Sequence, residues 1–361
     1  TATNLSIILK ESDNSLNDVV VVGYGVQKKV NVIGSVATID AKSLENRPVT
    51  NLSSSLGGLS SGVFVRQSSG KPGADGATIR IRGTGTLNSN NALVVVDGIV
   101  GSMDAVNPND VETVSVLKDA AAASIYGSLA ANGVILITTK KGNKGKTNVT
   151  YSGLTSIAKP ANLPTFVSDY VTHMNLVNEG YRNLGQNPIY TDATIALWNA
   201  ANANPDGLTP QGIPNYIAYP NTDWGKAIFE HNLLQQHNLS LNGGSENTQY
   251  LLSAFYLNNP GTMANTGSDK YNLRLNLQSK VTKFLTVGTQ TFASYQTFGL
   301  ASTENAFNFL RQTTPGVYPV YQGKYGFPAA AEESSTANNI TQYLYSSGGD
   351  DIETRLNSTV F

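Results

Sequence analysis

The sequence predicts a small mixed α+β domain followed by long antiparallel β-strands. Two observations carry that fold class. Between residues 79 and 141, short apolar runs are punctuated by Gly, Asp and Asn at turn spacing, with one Ala-rich stretch among them. From Tyr271 to Gln278, by contrast, apolar residues occupy every odd position and polar ones every even position, the pattern of a strand with one oily and one wet face. Composition adds a third. Charged residues are 14% of the 361-residue chain, against roughly 25% in an ordinary soluble domain, and asparagine outnumbers the 24 Lys and Arg together. With 34 glycines and 17 tyrosines, this suits β-structure joined by long polar loops.

In chain order, Leu5, Ile7 and Leu9 alternate over residues 1–10 as a strand would, and residues 11–17 form a polar linker. Asp18 then precedes four β-branched residues, Val19, Val20, Val21 and Val22, closed by Gly23-Tyr24-Gly25. Further on, Ile79 and Ile81 share one face of a strand, with Arg80 and Arg82 on the other and Gly83 at its end. Leu93–Val96 reads as a buried strand stopped by Asp97-Gly98. Val111–Leu117 is another, followed by Lys118-Asp119, the helix-prone alanines, Tyr126-Gly127, and after Gly133 a third apolar run to Lys141.

Beyond the turn-rich residues 142–146, strands are predicted near 147–157, 236–243, 249–258, 270–280, 284–296 and 351–361. A soluble antiparallel sandwich would alternate in the same way. The connections favour a membrane barrel, because they alternate between long (158–235, 259–269, 297–350) and short (244–248, 281–283). The long links hold Tyr181, Tyr190, Trp198, Tyr216, Tyr219, Trp224, Tyr318, Tyr321 and Tyr325. Such rings with amide neighbours suit sugars or peptides, and equally suit packing of large loops on one another.

Other functions find little support. A net charge of −1 offers no electrostatic case for nucleic acid. With no cysteine there is neither a disulfide nor a thiolate metal site. No apolar run reaches the roughly 18 residues of a spanning helix, and the first residues do not read as a signal peptide. Gly83–Asn91 is Gly-rich but lacks the phosphate-loop lysine, while Gly145-Lys146-Thr147 has Lys140 where the first glycine of that loop belongs. Ser115-Val116-Leu117-Lys118 lies in a strand pattern without the companion motifs of a serine acylase. His173, His231 and His237 have no metal-type spacing. Asp97 and Asp119 sit beside turns, where Asp bonds its own backbone. No paired acids or nucleophile–base set points to an enzyme, and no cofactor or metal is implied.

The run 79–141, in its order and wording, resembles the plug domain of TonB-dependent outer-membrane transporters. Leu16–Gly25 resembles the opening signature of their SusC/RagA branch. The resemblance implies that residues 1–10 are the last strand of an Ig-like extension, that 11–25 hold a linker and the TonB box (Asp18–Gly25), that 18–141 form the plug, and that 147–361 begin a transmembrane barrel of about 22 strands. Within it, Arg80, Arg82, Gly83, Asp97, Gly98, Lys118, Asp119, Tyr126, Gly127 and Gly133 are plug signature positions, with the two arginines candidates to face acidic groups on the barrel wall. Asn88, Ser89, Asn90 and Asn91 become candidates to meet substrate.

The implied activity is TonB-dependent import of oligosaccharides or oligopeptides through the outer membrane of a Gram-negative bacterium. The implied partners are TonB with its inner-membrane energising complex, a SusD-like surface lipoprotein as lid, and outer-membrane lipid, in a dimer of transporter–lid pairs. The competing readings are a TonB-dependent signalling receptor and a secreted β-rich carbohydrate-binding or hydrolytic protein.

Overall fold

The computed structural model describes residues 19–22, 25–28, 35–45, 47, 49–85, 90–334, 338–346 and 348–361. The strand expected at 1–10 and the linker at 11–17 lie outside them. The chain divides into two compact units. The first takes in the chain to Ser68 and Gly76–Lys141; the second takes in Ser69–Asp75 and Gly142–Phe361.

The first unit opens with β1 (Val19–Val22) and β2 (Gly25–Lys28), an antiparallel hairpin in which Val19 pairs with Lys28 and Val22 with Gly25. Next come β3 (Val36–Asp40), α1 (Ala41–Glu45), α2 (Leu52–Ser55), β4 (Val63–Gln67) and β5 (Ala77–Ile81), then β6 (Leu93–Val96), β7 (Ile99–Val100), β8 (Val111–Leu117), α3 (Ala120–Ala123) and β9 (Val134–Thr139). Five strands make a mixed sheet in the order β3-β8-β9-β6-β7, with β6 and β9 parallel, while β4 and β5 pair apart from it.

The central strands β8 and β9 are covered on both faces, which is why they read as near-continuous apolar runs rather than as an alternation. Ile135 and Ile137 of β9 join Val114, Val116, Leu52, Leu56, Ile79 and Ile81 in one core. Val134 and Leu136 point the other way, onto Ala122, Ala123 and Ala130 from α3 and the turns after it. The small alanines let that short helix lie close to the sheet.

The second unit is a six-stranded antiparallel meander in which neighbours in sequence are neighbours in space: β10 (Gly145–Ala158), β11 (Asn232–Gly244), β12 (Thr248–Asn259), β13 (Ser268–Lys280), β14 (Thr286–Gly299) and, beyond two short pieces named next, β17 (Asp350–Val360). The predicted strands are all present, each within a few residues of its expected ends. The long links are not simple loops. The first contains α4 (Tyr170–Asn183), α5 (Asp192–Asn202), α6 (Asn215–Ala218) and α7 (Trp224–Ile228); the last contains α8 (Thr303–Phe309), a small hairpin of β15 (Val320–Tyr321) and β16 (Lys324–Tyr325), and α9 (Ile340–Ser346).

Side-chain caps start four of these helices: Asp169 accepts from the Thr172 amide, Thr191 from Thr194, Asp223 from Lys226 and Asn339 from Gln342. The link helices carry their own cores. Tyr170, Met174, Tyr190 and Trp198 form one, and Trp224, Ile228, Met263, Ala306, Leu310 and Leu344 belong to another. Packing therefore accounts for both tryptophans, and Tyr216 and Tyr325 remain exposed.

Candidate functional site

The polarity of β13 is reversed relative to a strand of a soluble sheet, while β12 beside it buries Leu251, Phe255 and Leu257. On β13 the polar residues are the buried ones: Lys270 (2% exposed), Asn272 (5%), Arg274 (3%) and Asn276 (5%). Tyr271 (48%), Leu273 (52%), Leu275 (37%) and Leu277 (38%) face outward. The register carries that outer face across the neighbours, since Leu239, Ala254, Leu273, Ala293 and Leu356 fall in one row. A contiguous apolar sheet face in water would be a strong liability; against acyl chains it is the required surface. Within the sheet, Arg274 lies 5.0 Å from the centroid of the Phe292 ring on the adjacent strand, a cation–π pair on the inner side.

Aromatic rings edge this apolar face. Tyr151, His237, Tyr256, Tyr271 and Tyr295 run across five successive strands with neighbouring ring centroids 6.1, 6.3, 4.9 and 6.3 Å apart, and the Tyr151 hydroxyl lies 2.7 Å from Nδ1 of His237. One row further toward the long links the outer face of β12 and β13 becomes polar: Asp269 accepts from the Tyr256 hydroxyl (3.2 Å) and from the Asn258 amide (3.0 Å). An apolar body with a wet tip is what the boundary of a bilayer selects. This row could not be assembled from sequence, because it needs the register of five strands.

In the first unit the signature positions serve mainly to shape the chain. Asp97 (φ 48°) and Gly98 (φ 89°) are the two-residue turn between β6 and β7, the type I′ geometry that Asp-Gly favours. The Asp97 carboxylate accepts from the Thr139 backbone N–H (2.9 Å) and hydroxyl (2.7 Å), tying β6 to the end of β9. Asp119 caps α3 by accepting from Ala122 N–H (3.0 Å) and also accepts from Ser35 N–H (2.5 Å); these backbone hydrogen bonds, Ser35 first, hold its carboxyl below the usual carboxylate range. Lys118 donates to the Ser61 carbonyl (2.6 Å). Tyr126 packs half-buried on the second core, and Gly127 (φ 59°) breaks the segment after α3 at a point where a side chain would be strained. Gly133 (φ 86°) is more constrained still, since a Cβ there would lie 2.7 Å from Ile81 Cδ1 and 3.0 Å from the Leu117 carbonyl oxygen.

Arg80 and Arg82 do not share a strand face. β5 ends at Ile81, and Arg82 takes a left-handed φ of 58° ahead of Gly83 at 92°. The alternation Ile-Arg-Ile-Arg continues in sequence past the point where the backbone leaves the strand. Arg80 donates to the Thr84 hydroxyl (3.3 Å). Among the Asn88–Asn91 candidates, Asn88 and Ser89 lie outside the described residues; Asn90 accepts from the Gly85 N–H (3.0 Å), and Asn91 is exposed. Asp18, Gly23 and Tyr24 also lie outside them, while Val19, Val20, Val21, Val22 and Gly25 are the backbone of the β1–β2 hairpin.

The second unit holds a polar cluster that sequence reading missed. The buried Glu333 carboxylate accepts from the Tyr170 hydroxyl (2.8 Å) and the Thr314 hydroxyl (3.2 Å), and lies 2.8 Å from Nε2 of His173, whose ring stacks on Tyr170. Burial, the largest influence, pushes Glu333 up. Hydrogen bonds from His173, Tyr190 and Tyr170 together outweigh it, so its carboxyl sits below the ordinary value. Burial also raises both tyrosines. Glu333 thereby joins the first long link to the last across more than 160 residues of chain, a separation no local motif can signal.

Comparison with known proteins agrees with this geometry. The family model described as TonB-dependent Receptor Plug Domain matches residues 28–134. TonB-dependent receptor P26 of Formosa agariphila is 35% identical over 315 residues, 85% of this chain and 29% of that protein. TonB-dependent receptor SusC of Bacteroides thetaiotaomicron is 35% identical over 288 residues, 76% of this chain and 26% of SusC. Among solved structures, the RagAB peptide importer in its open-open state superposes with a TM-score of 0.65 at 31% identity, covering 78% of this chain and 32% of that one. The chain thus spans about a third of the length of the relatives it matches. A plug-type sheet followed by strands that show their oily faces outward places the chain in the TonB-dependent receptors of the SusC/RagA type.

Proposed function

We propose that the protein imports oligosaccharides or oligopeptides across the bacterial outer membrane, driven by TonB and capped by a SusD-like surface lipoprotein. The observation that carries this reading is the reversed polarity of β13, with an apolar outer face continued on its neighbours, in the same chain as a plug domain. A sheet that buries Lys270 and Arg274 while exposing Leu273 and Leu275 is built for lipid, and a plug is needed only where a lumen wide enough for large cargo must be kept shut. The similarity to the RagAB peptide importer and to SusC supports nutrient uptake. Closing the barrel would satisfy every backbone hydrogen bond in the bilayer.

In this reading residues 18–141 are the plug and 147–361 belong to the barrel, with their long links on the extracellular side. Asp18–Gly25 is the segment that TonB captures by strand addition. Arg80 and Arg82 meet acidic groups of the barrel wall, and Asn88–Asn91 meet the substrate. Energy comes from the inner-membrane gradient, at about 2.3 kcal/mol per charge per 100 mV. Deleting Asp18–Gly25 from the full-length protein should abolish uptake in cells while leaving cargo binding to the purified protein unchanged. Uptake that survives the deletion defeats the proposal.

A further inference from the structure

The turn between β13 and β14 departs from ordinary turn chemistry. The other short turn of the second unit, Gly244-Ser245-Glu246-Asn247-Thr248, is made of the small and polar residues that turns favour. Residues 281–285 instead read Val-Thr-Lys-Phe-Leu, without Gly, Pro, Asn or Asp. The turn is nonetheless well braced. Val281 and Thr282 both donate their N–H to the Leu285 carbonyl (2.9 and 3.1 Å), and the Thr282 hydroxyl accepts from the amides of Phe284 (3.3 Å) and Leu285 (3.0 Å). At its base the Lys280 N–H donates to the Asn247 carbonyl of the neighbouring turn (2.7 Å). This bracing fixes the backbone with Phe284 93% exposed and with Val281 and Leu285 exposed beside it.

Its position along the sheet decides what those side chains meet. Tyr271 marks one boundary of the apolar outer face, and Val281 lies ten residues further along the chain. At about 3.4 Å per residue and a tilt of about 40°, those ten steps span about 26 Å, matching an apolar band about 25 Å tall. Leu277, Val281, Leu285 and Val287, all exposed, close the band at this end. Phe284 reaches just past it, at the depth where aromatic rings settle in a bilayer.

The charge at this end is one-sided. The two short turns and the start of β10 carry Lys144, Lys146, Lys280 and Lys283 against one acid, Glu246. That acid is already engaged: Lys144 donates to it (2.6 Å) and, with a weaker pull from Lys280, holds its carboxyl below the usual range. Among the described residues Lys283 has no carboxylate partner, and it is exposed at the tip beside Phe284. The opposite ends of β13 and β17 carry Asp269, Asp350 and Asp351 instead. An aromatic ring at the acyl boundary with ammonium groups beside it suits one ligand class. That class is an anionic phospholipid, its phosphate on the lysines and its chains on Phe284 and Leu285.

We propose that the β13–β14 turn is a lipid anchor, in which Phe284, Lys283 and Lys280 hold an anionic phospholipid of the leaflet that the short turns face. The proposal rests on the import reading, in which the long links are extracellular and this leaflet is the periplasmic one. The anchor fixes the height of the wall in the bilayer from the side opposite the aromatic row.

The test uses the full-length protein carrying Phe284→Trp, which keeps an aromatic ring at an exposed position. It is inserted into phosphatidylcholine vesicles containing a minor fraction of brominated phosphatidylglycerol or of brominated phosphatidylcholine, and its fluorescence is read as the difference from the parent. The introduced indole should resist iodide in the water and be quenched by brominated lipid. The quenching curves should give a binding ratio of at least about fivefold in favour of the anionic lipid. Lys280→Ala and Lys283→Ala together should bring that ratio close to one, as should molar salt. Lys226→Ala, at an exposed lysine of α7, should leave it unchanged. An indole open to iodide, as in a turn reserved for a soluble protein, would overturn the proposal. So would equal quenching by the two lipids, or a preference that survives loss of both lysines. Full-length protein that fails to enter the vesicles defeats the barrel reading as well, whereas insertion with any of those outcomes defeats the anchor alone. The Asp18–Gly25 deletion reads TonB dependence separately.

Discussion

The depth of Leu275 in the apolar face gives a sharp test of the membrane assignment. The aromatic row at Tyr271 marks one boundary of that face. Leu275 lies four residues further along β13, on the same side. At about 3.4 Å per residue and a strand tilt of about 40°, those four steps carry it some 10 Å into the bilayer, close to the middle of an apolar band about 25 Å tall. Leu275→Arg should therefore destabilise the folded full-length protein in lipid by about 2–4 kcal/mol. Thr297→Arg, outward-facing on β14 but beyond the aromatic row, should cost about 0–1 kcal/mol. In a soluble sheet both would be surface changes worth within about 0.5 kcal/mol. Equilibrium urea unfolding of the liposome-inserted protein, followed by tryptophan fluorescence and by the gel shift of the folded barrel, measures both. Equal costs at the two positions, or a Leu275→Arg variant as stable as the parent, would refute a lipid-facing β13.

Three further outcomes follow from the geometry. Gly133→Ala should destabilise the plug by about 2–4 kcal/mol, from the left-handed backbone and the contact with Ile81 together, read as a loss of protection from hydrogen exchange in β8 and β9. Asp97→Ala should cost about 2–3 kcal/mol by leaving the Thr139 N–H and hydroxyl without their charged acceptor, and Asp97→Asn, which keeps an acceptor and tolerates the turn, should cost less in the same measurement. Glu333 contributes stability above its unfolded value near 4.5 that is lost as pH falls through its lower folded value; exchange in α4 should therefore quicken below pH 4.5, and Glu333→Gln should remove that pH dependence.

Much of this architecture was legible because it follows short-range periodicity. The alternation in Tyr271–Gln278 sets a strand and pairs its faces, but it does not say which face meets lipid; the exposures of Leu273 and Asn272 decide that. The plug strands were readable as apolar runs because both sides of β8 and β9 are covered. Arg82 misled because side-chain alternation carries no information about φ. The helices of the long links went unread because asparagine, glycine and threonine dilute their apolar spacing, so that the caps at Asp169, Thr191, Asp223 and Asn339 are what announce them. Partners such as Thr139 for Asp97 or Tyr170 for Glu333 are brought together by the fold and leave no trace in local sequence.

The β1–β2 hairpin has a mechanical corollary. Its open end brings Val19 beside Lys28, so tension applied between the chain before Val19 and the chain after Lys28 acts on one residue pair at a time and peels the ribbon toward the Val22–Gly25 pair. Two strands alone are only marginally stable in water, so the ribbon's hold on the fold lies in β1 resting against β8. Straightened, Val19–Lys28 would pay out about 30 Å of slack, released once a tug at the N-terminal side has drawn β1 away from β8.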